Sequence, residues 1–305
     1  MGHEHAAAPD AAGSVQRLAL VLALTVTVLV VEVVGAVVSG SLALFADAGH
    51  MLTDAAGLVL ALVAAVLARR PATPERTWGY RRAEVLGAAA QAAVLLAVGV
   101  AILVEGARRL FEPPEVSSTP MLVFGAVGLA ANLLGLAVLA RDRRQNLNMR
   151  AAFLEVANDA LGSCAVLVAA AAIAVFGWQR ADAVASLLIG LLILPRTWML
   201  LRETVDVLLE ATPKGLDLTD VRAHILDVAH VQDVHDLHAS QVATGLPVLT
   251  AHVVVDDGCF RDGHLPALLD ELQHCVAGHF GVSVEHSTFQ FEGAGHAAHE
   301  RSAHH

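Results

Sequence analysis

Cysteine is scarce in this sequence, which has three in 305 residues and no CxxC pair. Cys164, Cys259 and Cys275 are too few and too scattered for a disulfide framework or a thiolate zinc site. Charge is scarce as well, since charged residues make up 16% of the chain, hydrophobic residues make up 56%, and the mean hydropathy is +0.60. This balance excludes an ordinary soluble domain and predicts an integral membrane protein.

The first ten residues lack the basic segment that opens a secretory signal, so we predict no cleaved signal peptide. Histidine is nearly absent from the hydrophobic part of the chain: 13 of the 16 histidines follow residue 205, and His50 is the only one inside an apolar segment. The net charge of −11 also falls in the C-terminal third. An acidic, His-rich region attracts cations and repels nucleic acid, so we expect no DNA or RNA partner.

Six apolar segments are each close to the roughly 20 residues that cross about 30 Å of hydrocarbon. An even number of spans leaves both termini on one side of the membrane. The loops after the second and fourth segments are rich in arginine, so the positive-inside rule predicts that these loops and both termini are cytoplasmic. The expected spans are residues 17–38, 45–68, 84–105, 120–140, 152–176 and 183–203.

Beyond the last span, the hydrophobic pattern changes to that of a small α+β domain. Residues 218–231 and 265–280 have helical periodicity, whereas 234–242, 248–255 and 282–291 have strand patterns. The order αββαβ predicts a three-stranded sheet with both helices on one face.

The chain is therefore expected to divide into four parts. These are a disordered polar leader (1–16), a six-span transmembrane domain (17–205), a cytoplasmic metal-binding α+β domain (206–292) and a disordered His-containing tail (293–305).

Two polar pairs stand inside apolar segments. His50 and Asp54 are four residues apart in the second span, and Glu155 and Asp159 repeat this spacing in the fifth. On a helix, residues i and i+4 share a face, so two helices can supply four ligands to one tetrahedral divalent cation. Burying three carboxylates costs several kcal/mol each unless positive charge is near, and these spans offer no lysine or arginine at similar depth.

A cation is therefore expected between the two pairs, and protons must replace it when it leaves. This predicts exchange of metal against protons, in which cytoplasmic metal displaces protons and protonation from outside expels the metal. His50 is the ligand expected to titrate near neutral pH.

The predicted sheet carries further candidate ligands. His235, His252 and His286 lie on three different strands and can converge on a regulatory metal ion. His235 and His238 are three apart, and in a regular strand they face opposite sides, so both cannot line one site.

Seven blocks of the chain match, in order, the motifs of one family: Glu32 to Gly35, Ser41 to Asp54, Trp78 to Val85, Asn148 to Leu154, Asp159 to Ser163, Val207 to Pro213 and Val234 to His238. Through these blocks, which cover nearly its whole length, the chain resembles the cation diffusion facilitator family of zinc transporters. The resemblance implies a six-span homodimer with a cytoplasmic ferredoxin-like domain, exporting Zn²⁺ in exchange for protons. It further implies that His50, Asp54 and Asp159 are transport ligands and that the cytoplasmic domain binds metal. We expect a bacterial inner (plasma) membrane location.

One departure from the family bears on the choice of metal. Zinc-type members usually carry histidine or aspartate where this chain has Glu155. One histidine with three carboxylates is a harder ligand set, which could admit Co²⁺, Cd²⁺ or Mn²⁺. In the last strand, the residues after His286 match zinc-type members, which supports His286 as a cytoplasmic ligand.

Two other classes of protein are alternatives to a transporter. An intramembrane metalloenzyme would need an open coordination position and a general base, and the sequence contains no H-E-x-x-H motif, so we expect no enzymatic activity. A membrane-anchored metal sensor that binds without transporting remains the alternative, although a sensor would not require the buried tetrad.

Overall fold

The computed structural model describes residues 26–68, 70–140 and 147–296. These residues form two units, which we call the membrane unit (26–60 and 90–200) and the sheet unit (61–89 and 201–296). The predicted leader, the first nine residues of the first expected span and the end of the predicted tail lie outside the described residues.

Apolar helices make up most of the chain between residues 26 and 208. Within the described residues, four of them (83–111, 118–138, 156–176 and 180–208) are long and apolar enough to cross a membrane. The protein is therefore a helical membrane protein, and the predicted spans overlap the helices in order. The helices are α1 (Val26–Ser39), α2 (Leu42–Ala68), α3 (Ala83–Phe111), α4 (Ser118–Leu139), α5 (Leu147–Phe176) and α6 (Arg180–Leu208).

Small residues let α3 and α6 approach closely inside the membrane unit. A Cβ atom on Gly99 would lie 2.7 Å from Leu194, and one on Gly190 would lie 2.9 Å from Leu103. Lipid offers no hydrophobic driving force between helices, so such contacts depend on close van der Waals packing. The face of α6 that contains Leu194 therefore packs against α3.

The start of α2 is fixed by a carboxylate from another helix. Asp182 of α6 accepts hydrogen bonds from the backbone N–H groups of Leu42 (2.8 Å) and Ala43 (3.1 Å) and from the Ser41 hydroxyl. The first N–H groups of a helix have no partner within it, and a negative charge there also complements the helix dipole. Arg109 of α3 lies 3.6 Å from the same carboxylate, so the position of α2 is tied to two neighbouring helices.

The sheet unit contains three strands in the order β1 (Val231–Ala243), β2 (Leu246–Val255) and β3 (His286–Glu292). β1 and β2 pair antiparallel, whereas β2 and β3 pair parallel. Helices α7 (Leu218–Leu226) and α9 (Leu265–Gly278) pack against one face, and the short α8 (Cys259–Asp262) lies between β2 and α9.

The hydrophobic core of this unit lies between the helices and one face of the sheet. It includes Val221, Ile225, Val253 and Leu272, all fully buried. The alternation along β2 buries the odd-numbered residues 247–253, so the even-numbered positions point to the opposite face.

Two predicted elements are too long. The helix expected over 218–231 ends at Leu226, because the chain turns there and His230 adopts a left-handed backbone with φ of 70° before β1 begins. The strand expected over 282–291 starts only at His286. The N–H of Val284 bonds instead to the carbonyl of Val276 in α9, so the preceding residues belong to the connection from that helix.

Candidate metal sites

Helices α2 and α5 bring one histidine and one carboxylate together in the membrane unit. His50 Nε2 of α2 lies 3.6 Å from Asp159 Oδ1 of α5, and the two side chains are only 14% and 13% exposed. Imidazole nitrogen and carboxylate oxygen are both ligands of divalent transition metals. The pair that the sequence places on different helices is thus adjacent in the structure.

The other two predicted ligands occupy the same helices. Asp54 lies one turn after His50 on α2, and Glu155 lies one turn before Asp159 on α5. Their backbones are helical, but their side chains lie outside the described part of the structure. Their participation therefore stays a prediction from helical spacing.

A cavity of about 210 Å³ adjoins His50 and Asp159. Its walls come from α2, α3, α5 and α6 of the membrane unit, so it offers space beside the two candidate ligands. The lining residues are Asp47 and His50 of α2, Gln91, Ala92 and Leu95 of α3, Asn158, Asp159 and Gly162 of α5, and a row on α6 from Ile189 to Leu200.

Hydrogen bonds position α2 around His50. Gln91 of α3 donates from Nε2 to the carbonyl of Thr53 at 2.9 Å, and the Thr53 hydroxyl donates to the carbonyl of His50 at 2.7 Å. The absence of a side chain at Gly57 makes room for Gln91. The helix that carries His50 is thereby held against α3 on the wall of the cavity.

A second polar cluster lies beside the pair and links four helices. A Cβ atom on Gly128 of α4 would lie 2.6 Å from Glu32 Oε1 of α1 and 3.5 Å from Ser163 Oγ of α5, so Glu32 and Ser163 lie close together, and Asp47 of α2 belongs to the same cluster. Ser163 of α5 donates to Asp47 at 3.4 Å and accepts from Asn132 of α4 at 3.2 Å. All four are buried. The two hydrogen bonds of Ser163 join α2, α4 and α5 beside the His50–Asp159 pair.

In the sheet unit, His235, His252 and Glu292 place one ligand atom each within 4.8 Å of one another. Glu292 is buried and uses both oxygens: Oε2 lies 3.2 Å from His235 Nε2, and Oε1 lies 3.0 Å from His252 Nδ1. Gln290 donates to Oε1 at 2.7 Å. Two imidazoles and a carboxylate are a donor set that fits Zn²⁺.

A bulge in β1 changes which histidines share a face. His235 pairs with His252 but His238 pairs with Thr250, so β1 has one extra residue between the two pairs, and Asp236 there has φ of 50°. The premise of a regular strand is therefore wrong, and His235 and His238 lie on the same face. Asp236 approaches both His238 (3.0 Å) and His252 (3.8 Å), adding a carboxylate beside the group.

His286 does not join this group. It pairs with Val248, whereas His252 pairs with Gln290, so His286 lies four residues along β3 from the level of His252. Its ring instead meets Trp78, in the connection between α2 and α3, edge to face at 4.8 Å. The sequence reasoning missed Glu292 because it considered only histidines. The sequence did contain a signal for it. Polar residues occupy every second position of this strand (His286, Thr288, Gln290 and Glu292), which indicates one polar face that includes Glu292.

The membrane unit thus holds a histidine–carboxylate pair and the sheet unit a histidine–carboxylate group, and both donor sets are of the kind that binds divalent cations. Comparison with known families agrees. Residues 18–209 match the model of the cation efflux transmembrane domain, and residues 213–293 match that of the cation efflux protein cytoplasmic domain.

Similar proteins cover nearly the whole chain. The metal cation efflux system protein CzcD of Cupriavidus metallidurans is 42% identical over 291 residues, covering 95% of this chain and 90% of that protein. The zinc transporter ZitB of Escherichia coli is 39% identical over 279 residues, covering 91% and 87%. The cadmium, cobalt and zinc/H⁺-K⁺ antiporter of Bacillus subtilis is 34% identical over 291 residues, covering 93% and 92%. The chain belongs to the cation diffusion facilitator family and is a metal cation efflux transporter.

Proposed function

We propose that this protein exports Zn²⁺ from the cytoplasm in exchange for protons. The observation that carries the proposal is the His50–Asp159 pair beside a cavity in the membrane unit. His50, Asp54, Glu155 and Asp159 form the transport site, each supplying one nitrogen or oxygen to a four-coordinate ion.

The exchange follows from the charge of this site. Three carboxylates without a cation are too costly to keep ionised in a membrane interior. When Zn²⁺ leaves, protons bind to the ligands, with His50 titrating closest to neutral pH. Cytoplasmic Zn²⁺ then displaces these protons in the next cycle. The proton gradient across the membrane therefore drives the metal outward. The Bacillus subtilis relative is named as an antiporter of metal against H⁺ and K⁺, which supports protons as the counter-ion here.

Zn²⁺ is the proposed main substrate, and Cd²⁺, Co²⁺ or Mn²⁺ remain alternatives with the same mechanism. The names of the relatives include zinc, cadmium and cobalt. Glu155 makes the ligand set richer in oxygen than a two-histidine cage, which favours harder cations.

The remaining architecture is also proposed. Six spans over 17–205 place both termini in the cytoplasm of a bacterial inner membrane, and residues 206–292 form a ferredoxin-like domain. The match to the family's cytoplasmic domain supports a homodimer assembled through this domain. His235, His252 and Glu292 hold a regulatory Zn²⁺ there, in place of the set with His286.

Inverted membrane vesicles test the transport proposal. With an imposed pH gradient, wild-type vesicles should take up Zn²⁺, while Asp54→Ala and Asp159→Ala vesicles with matched protein levels should not. Adding Cd²⁺, Co²⁺ or Mn²⁺ as competitors ranks the substrates in the same assay. Uptake that survives both substitutions would refute the proposed route. Zn²⁺ binding without gradient-driven uptake by the wild type would favour the membrane-anchored sensor.

A further inference from the structure

Arg196 of α6 is a positive charge on the wall of the transport cavity. Expectations drawn from the spans of α2 and α5 did not include it, because it comes from a third helix. Six α6 residues line the cavity at spacings of one, three and four, which places them on one helical face. They are Ile189, Leu192, Ile193, Arg196, Thr197 and Leu200.

The opposite face of α6 packs against α3. Leu187, Gly190 and Leu194 pack against α3, so the row that contains Arg196 is the one turned toward the cavity. Four of the six residues in that row are aliphatic. A charged residue in such a row requires an explanation, because ionisable groups inside membrane segments are costly and are ordinarily paired with opposite charge.

Arg196 and Asp159 lie at the same depth. The end of α5 at Phe176 and the start of α6 at Arg180 are joined by a short connection. Asp159 precedes that end, and Arg196 follows that start, by nearly equal numbers of residues. At 1.5 Å per residue both lie about 25 Å from the connection. The backbone of Arg196 therefore lies near the level of Asp159, which meets His50.

The charged and titratable groups that line the cavity with Arg196 are Asp47 and His50 from α2 and Asp159 from α5. α3 contributes the neutral amide of Gln91. Among the described residues, Arg196 forms no ion pair. Arginine stays charged at every physiological pH, which makes this charge permanent through the transport cycle.

We propose that Arg196 is a built-in counter-charge that sets the affinity of the transport site. This rests on the proposed transport function. With Zn²⁺ bound, the guanidinium repels the ion and weakens its binding. After Zn²⁺ leaves, the same guanidinium attracts any carboxylate that stays ionised while protons bind to the other ligands. Both effects favour release, and neither requires Arg196 to contact the metal.

The test compares three variants in proteoliposomes, with initial rates of Zn²⁺ uptake measured against Zn²⁺ concentration. Removing the charge in Arg196→Met should lower KM roughly threefold to tenfold, as expected for losing one like charge within a partly hydrated cavity, and should also lower Vmax. Arg196→Lys keeps the charge and should resemble the wild type. Arg202→Met removes an exposed α6 arginine that does not line the cavity and should leave both constants unchanged.

A purely structural role for Arg196 would give a different pattern. Vmax would fall without a fall in KM, and the proposal would be wrong; it would also be wrong if Arg196→Lys matched Arg196→Met. Equilibrium Zn²⁺ titration of the purified full chain, in a His252→Ala background that weakens the sheet site, is independent of transport. Arg196→Met should bind Zn²⁺ more tightly there, even if vesicle assays were to show that the wild type does not transport. Unchanged or weaker binding would overturn the proposal.

Discussion

The membrane unit and the sheet unit both place histidine beside carboxylate, but they do so with different backbones. In the membrane unit, the predicted ligands on each helix are four residues apart, so each pair shares a face by local geometry alone. In the sheet unit, His235, His252 and Glu292 come from three strands and meet only through strand register. Spacing along a helix therefore predicts which candidate ligands share a face, whereas a sheet site depends on strand pairing that spacing does not encode.

The largest difference between the two sites should appear when one histidine of each is removed. His50→Ala should reduce Zn²⁺ uptake roughly hundredfold or more, because loss of a metal ligand exceeds the 10- to 100-fold typical of outer partners. His252→Ala should leave measurable gradient-driven uptake, since it removes a regulatory rather than a transported ion. Uptake by vesicles with matched protein levels measures both. Equal losses would contradict the assignment of different roles.

A smaller effect should separate Glu292 from His286 within the sheet. Glu292→Gln removes the charge that both histidines face, and should weaken Zn²⁺ binding by about tenfold. His286→Ala should leave the affinity unchanged, because that ring contacts Trp78 instead. Titration of the full chain in an Asp159→Ala background, which weakens the transport site, measures the sheet site. If His286→Ala weakened binding as much as Glu292→Gln, the ligand set predicted from the sequence would be restored.

The smallest effect concerns local stability in the sheet unit. Asp217 caps α7 by accepting from the Thr219 N–H at 2.8 Å, and this hydrogen bond lowers the pKa of Asp217 below its usual 3.8. A lowered folded-state pKa contributes stability that is present above the unfolded pKa and is lost as pH falls through the folded value. Asp217→Ala should therefore speed hydrogen exchange of the first α7 amides at neutral pH, and the difference from wild type should shrink below about pH 4. A difference that grows in acid would contradict this account.

Most of the fold follows from two features of the sequence. These are the order of the long apolar segments and the change to alternating helix and strand patterns after the last of them. The expected spans overlap the helices of the membrane unit, and the αββαβ order is recovered with one short extra helix. The errors fall at the ends of elements: α7 ends at Leu226, and β3 starts only at His286. Ends depend on single contacts, such as the Val284 bond to Val276, that hydrophobic period does not indicate.

Residue spacing by itself determined that His50 shares a helix face with Asp54, and Glu155 with Asp159, because a helix fixes neighbours within one turn. It could not determine that Arg196 lines the same cavity, since that depends on how α6 packs against α3. Nor could it determine that a bulge at Asp236 puts His238 on the same face as His235, or that Glu292 completes the sheet group. Those features arise between segments distant in sequence, where tertiary packing and strand register decide which side chains meet.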